Sequence, residues 1–179
     1  MILRRDLDTA LATGKLAFGA VLLTVCAAGC ESSSSPPTAS SAMPVPALRN
    51  AQVQIVPVPP DTADARSLIR AEADRARREG RVLIVYVGAP WCEPCQRFHQ
   101  AAAAGELNQR FPTLRLLEFD RDMHEAALAD AGCLSRMIPL FARPTSDGRC
   151  SPERRVEGGI KGEGAVAFIV PRLEQMMRP

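Results

Sequence analysis

The tightest constraint in the 179-residue sequence is a continuous apolar run, Val82-Leu83-Ile84-Val85-Tyr86-Val87, followed at once by Gly88-Ala89-Pro90-Trp91-Cys92-Glu93-Pro94-Cys95. A run without polar alternation describes a strand covered on both faces. Such a strand belongs to a sheet sandwiched between helices, and the flanking segments alternate to match. Upstream, Ala65, Leu68, Ile69, Ala73 and Ala76 recur at helical spacing between a cap at Asp61 or Thr62 and a stop at Gly80. Val53, Ile55 and Val56 form a short strand that Pro57, Pro59 and Pro60 confine to a sheet edge or remove altogether. Downstream, a helix is predicted from about Cys92 to Arg110 and a strand through Leu114, Leu116, Leu117 and Phe119. A short helix from Met123 to Ala131 follows, stopped by Gly132. Then come a hairpin, Pro139–Arg143 with Arg154–Glu157 around an Asp147-Gly148 turn, and a last helix, Gly164–Met177, that Pro171 bends or restarts. The order βαβαβαββα, without internal repeats, predicts an α/β domain with a central mixed sheet flanked by helices.

Ahead of this domain the composition changes. Met1–Lys15 carries Arg4, Arg5 and Lys15, and Leu16–Gly29 is an apolar stretch of 14 residues ending in small ones. A basic segment, a short apolar segment and small residues describe a secretory signal over residues 1–29. The stretch falls short of the roughly 20 residues a membrane-spanning helix needs. Ala27-Ala28-Gly29-Cys30 resembles a bacterial lipobox, although Ala27 stands where Leu is usual. The resemblance implies that Cys30 is acylated and anchors the mature chain in a lipid bilayer. An ordinary cleaved signal that leaves Cys30 as a spare thiol is the alternative. Residues 30–52 are rich in Ser, Pro and Ala without helical or strand period, and seven of the 15 prolines fall between residues 31 and 60. That composition reads as a disordered tether, spanning ~25 Å as a flexible coil of about 20 residues. Residues 53–179 are left as the folded domain. Glu31 occupies the place where an Asp retains some bacterial lipoproteins in the inner membrane, so its presence leans toward the outer membrane. The expected location is the cell envelope, facing the periplasm.

The charge balance narrows the partners. With 22 Lys+Arg against 20 Asp+Glu the net charge is +2, and no basic block stands out, so nucleic acid is not expected. A monomer is expected.

The chemistry lies in Cys92-x-x-Cys95. Two cysteines at this spacing can be half of a zinc site, but a four-thiolate site needs a second such pair, and Cys133 and Cys150 are 17 residues apart. A cysteine where a strand hands over to a helix has another use. The unpaired N–H groups and dipole of the helix N-terminus stabilise its thiolate. Cys92 is then the attacking sulfur, and Cys95, one turn further in, the resolving one. His99 follows four residues after Cys95 on the same helix face. Cys92, Cys95 and His99 can instead be read as soft-metal ligands, which would make the chain a metallochaperone or a partner-docking module.

The segment from Val82 through Ala89-Pro90-Trp91-Cys92-Glu93-Pro94-Cys95, with Glu118-Phe119-Asp120-Arg121-Asp122, Ile138-Pro139 and the glycines before the last helix, resembles the thioredoxin superfamily. The likeness covers nearly everything after residue 60. It implies a thioredoxin fold and a protein thiol–disulfide oxidoreductase that needs no cofactor beyond its own cysteines. It implies a cis Pro139 facing the pair, Ile138 in line with substrate backbone, Trp91 packed over the site, and substrate contacts by Glu93 and Pro94. Partners would be protein thiols and disulfides of the envelope and, in the reductive role that thioredoxin-like lipoproteins favour, a membrane electron donor.

Three departures stand out. Tyr86 replaces the buried Asp that helps Cys95 lose its proton in thioredoxin, and Glu118, where the family often carries Lys, is a candidate proton acceptor in its place. Glu93 adds a negative charge beside Cys92, which disfavours the thiolate. The loop before Pro139 and the later hairpin are longer and carry Cys133 and Cys150. An exported chain with Cys30 acylated keeps four thiols, an even number that favours a Cys133–Cys150 disulfide. Strand geometry, at about 3.3 Å per residue, separates the hairpin turn from a loop at the active-site end by roughly 15–20 Å and opposes it. Both readings stand.

Overall fold

The computed structural model describes residues 51–178. The expected signal, Cys30 and all but the end of the tether lie outside the described residues. In chain order the elements are β1 (Gln54–Pro57), α1 (Ala65–Arg78), β2 (Val82–Gly88), α2 (Glu93–Ala103), β3 (Leu114–Asp120), α3 (Glu125–Asp130), β4 (Leu140–Pro144), β5 (Cys150–Glu157) and α4 (Ala165–Met177). The apolar run becomes β2, the middle strand of a sheet ordered β1-β3-β2-β4-β5. β3 runs parallel to both β1 and β2, while β4 and β5 are antiparallel to their neighbours. The short, proline-flanked β1 survives as an edge strand, where a missing N–H breaks no ladder.

Side chains along β2 alternate between two cores. Ile84 and Tyr86 join α2 and α4 on one face; Leu83, Val85 and Val87 join α1 and α3 on the other. Ile69 of α1 and Ile169 of α4 are fully buried anchors of these two layers. Each contributes about 1.5–3 kcal/mol by leaving water. This is the mixed sheet between helices that the sequence predicts. No helix among the described residues is long and apolar enough to cross a membrane.

Several boundaries differ from the sequence reading. α1 is capped by Asp64, whose carboxylate accepts the Ser67 N–H at 2.9 Å, rather than by Asp61 or Thr62. α2 ends at Ala103 instead of Arg110, because Gly105 takes a left-handed backbone (φ +77°) that an L-residue reaches only with strain. α3 begins at Glu125 with His124 as its cap. Pro171 sits within a helix that continues through it. β5 begins four residues earlier than predicted, at Cys150, which is opposite Pro144 in the hairpin register.

The position of Cys133 removes the geometric objection to a second disulfide. Cys133 and Cys150 are joined, S–S 2.04 Å and Cα–Cα 5.1 Å. Cys133 follows α3 directly and therefore lies at the far end of the sheet, where the Cys150 N–H donates to the Ala131 carbonyl at 3.0 Å. The intervening residues to Pro139, and not the hairpin, cover the distance back toward the other end.

Candidate active site

β2 ends at Gly88, and a short turn carries the chain to Cys92, the N-cap of α2. The Cys95 N–H donates to the Cys92 sulfur at 3.3 Å, and Pro94 occupies the first helical turn, where an N–H would have no partner within the helix. The two sulfurs form a disulfide, S–S 2.05 Å and Cα–Cα 5.2 Å. Exposure does not separate them, at 4% for Cys92 and 3% for Cys95. Their surroundings do. Cys92 closes the positive end of the α2 dipole, which favours a thiolate on reduction, whereas Cys95 faces a cavity.

Around the pair, Trp91 is 63% exposed, and its indole N–H donates to Asp122 Oδ2 at 2.7 Å. Asp120, the last residue of β3, shapes that turn by accepting the backbone N–H groups of Asp122 and Met123. The Ile138–Pro139 peptide is cis. Gly159 brings Pro139 and the motif together: a Cβ there would lie 2.8 Å from Pro94 Cβ and 3.4 Å from Pro139 Cδ, so only glycine fits. Pro94 and Pro139 are buried and Ile138 is half-buried. Glu93 is half-exposed, and its carboxylate is taken up by the Gly162 N–H at 3.0 Å, with Arg97 at 3.9 Å.

Behind Cys95 lies a cavity of about 490 Å³ whose walls include Tyr86, Gly88, Cys95, His99, Glu118 and His124. Tyr86 is fully buried against Phe141 (ring centroids 5.0 Å apart) and Phe98 (5.9 Å), and its hydroxyl has no hydrogen-bond partner in the protein. Burial, reinforced by the Glu118 charge, pushes that hydroxyl's pKa far above its ordinary value and keeps it neutral. His99 Nε2 and Glu118 Oε1 are 2.5 Å apart. This contact raises the His99 pKa against the opposing effect of partial burial. His99 is thus engaged by β3, and no three His, Cys, Asp or Glu side chains converge as metal ligands among the described residues. Sequence reasoning singled out His99 and Glu118 separately, but not their contact, nor the Asp122 partner of Trp91, nor buried His124. Neighbours on different elements leave no local pattern.

No family model and no curated protein matches the chain. Solved structures similar to it include a poplar thioredoxin h, 22% identical, covering 59% of this chain and 82% of its own, with a TM-score of 0.38. Fasciola hepatica thioredoxin is 24% identical over 59% of this chain and 86% of its own, TM-score 0.39. A thioredoxin variant from Halobacterium salinarum is 17% identical over 73% of this chain and 95% of its own, TM-score 0.40. What the site can do rests on its own atoms: a dithiol or disulfide at a helix N-terminus, one sulfur backed by a partly polar cavity.

Proposed function

We propose that the chain is an exported, membrane-tethered thiol–disulfide oxidoreductase of the cell envelope that works reductively on client proteins. The observation that carries it is the Cys92–Cys95 disulfide at the start of α2, beside Pro139 and exposed Trp91. Cys92 attacks a client disulfide, and Cys95 resolves the mixed disulfide so formed. Glu118 takes the proton of Cys95 where Tyr86 offers no carboxylate. Trp91, Glu93, Pro94, Ile138 and Pro139 form the client-facing surroundings. Cys133–Cys150 braces the fold, and the chemistry calls for no cofactor beyond the reacting pair. Cys30 is the lipid anchor, with the outer membrane favoured, and a membrane electron donor restores the dithiol.

The redox potential of Cys92–Cys95, equilibrated against glutathione, tests the direction. A value more negative than about −200 mV supports a reductant; a more positive one assigns oxidation or isomerisation instead. Metabolic labelling with a radioactive fatty acid tests the anchor: label is expected on the wild-type chain and not on Cys30→Ala. Equal labelling of both would remove Cys30 from that role.

A further inference from the structure

We propose that His99, acting through Glu118, is a positioning residue for the resolving step, in which Cys95 gives up its proton into the cavity that it shares with this pair. The inference rests on Cys92–Cys95 being the reacting pair. Groups from three elements, α2, β2 and β3, meet here. The cavity joins Cys95 of α2 to Glu118 of β3 and Tyr86 of β2. The Tyr86 hydroxyl, buried and without a protein partner, crowds the same space beside Gly88 as the Cys95 sulfur: a Cβ on Gly88 would lie 3.0 Å from the oxygen and 3.5 Å from the sulfur. A space of about 490 Å³ edged by a hydroxyl, a carboxylate and an imidazole has the size and the polar edges to admit water.

The His99–Glu118 contact fixes the proton inventory. Neither a carboxylate oxygen nor an unprotonated ring nitrogen can donate, so at 2.5 Å one proton lies between Nε2 and Oε1. Capacity for a further proton resides in Glu118 Oε2 and His99 Nδ1. In the reaction, the Cys92 thiolate attacks the client disulfide: the client S–S bond breaks as the Cys92–client bond forms, and one client sulfur leaves as a thiolate. Cys95 Sγ–H then passes its proton through cavity water to Glu118, and the Cys95 thiolate attacks the Cys92 sulfur. The Cys92–client bond breaks as Cys92–Cys95 forms, and the second client sulfur leaves as a thiolate. Both client thiolates take protons from solvent, and Glu118 returns its proton to water. Two electrons pass from the dithiol to the client disulfide.

A second proton on His99 makes the adjoining carboxylate a weaker acceptor, so resolution speeds up with rising pH as His99 becomes neutral. The other titratable groups facing this space are otherwise engaged. Asp120 accepts two backbone N–H groups, the ring nitrogens of His124 face the carbonyls of Asp120 and Pro59, and Tyr86 stays neutral. Pro57 and Val58 bring no charge.

The test uses the full chain with Cys26→Ser and Cys30→Ser, which replace the two cysteines that precede the folded domain. It is reduced at the active pair and mixed with dithiobis(nitrobenzoate) in stopped flow. The first coloured thiolate released reports attack by Cys92 and an intact site; the second reports resolution by Cys95. The second rate is expected to rise with pH through two inflections, the lower set by His99 and the upper by ionisation of the Cys95 thiol itself. Glu118→Gln is expected to slow it about tenfold or more near neutrality. His99→Gln, which keeps a donor for Glu118 but cannot titrate, is expected to erase the lower inflection and leave that of Cys95. Persistence of the lower inflection in His99→Gln, or a second rate within about twofold of wild type in Glu118→Gln, overturns the proposal. Absence of the first phase, or a second phase that survives Cys95→Ser, would instead remove the oxidoreductase reading.

Discussion

Tyr86 shows how one residue can be well packed and chemically unfinished. Its ring fills the core between Phe98 and Phe141 while its hydroxyl meets no protein acceptor. Deleting an unpaired buried hydroxyl removes no protein hydrogen bond, so Tyr86→Phe is expected to change stability by less than about 1 kcal/mol in urea unfolding. A loss of 2 kcal/mol or more would reveal a partner. Glu93 makes the opposite case, a charge set next to Cys92 in the chain and shared with Gly162 and Arg97. Removing the charge favours the Cys92 thiolate and hence the reduced form. Glu93→Gln should therefore raise the redox potential, on the order of 10–30 mV. A shift toward more reducing values would contradict that sign. Both residues are legible in the sequence as departures from a familiar motif, but neither the orphaned hydroxyl nor the Gly162 contact is, because their surroundings come from β4 and the loop before α4.

At the scale of elements, α1 is held to the sheet by more than its apolar stripe. Arg115 of β3, only 6% exposed at its side chain, pairs with Glu72 at 2.9 Å and Glu79 at 2.7 Å, both from α1 or its cap. Withdrawing the cation leaves Glu72 largely buried without its countercharge, so Arg115→Ala is expected to cost about 3 kcal/mol in thermal or urea unfolding. A loss below about 1 kcal/mol would mean that the pair behaves as an exposed one. The helix and strand types follow from local pattern, whereas their ends depend on single residues: Asp64 begins α1 and Gly105 ends α2. Gly105, directly after Ala101–Ala104, is a local stop signal, and a sequence reading that runs through it extends α2 by a further seven residues.

At the scale of the molecule, the two disulfides occupy opposite ends of the sheet. Cys133–Cys150 closes a loop of 17 residues, and both cysteines are buried. Constraining the unfolded chain by a loop of that length is worth about 3 kcal/mol. The Cys133→Ala, Cys150→Ala double variant is therefore expected to lose about that much stability while leaving the Cys92–Cys95 potential unchanged. A shifted potential would couple the two ends. The sequence by itself determined the buried β2, the order of helices and strands, and a dithiol at a helix start, because periodicity and turn chemistry are local. Only the tertiary structure decided that Cys133 meets Cys150, that Gly159 lets Pro139 approach the motif, and that His99 and Glu118 close a cavity behind Cys95. Each of these is a meeting of residues far apart in the chain, and the strand order that brings them together leaves no mark at any one of their positions.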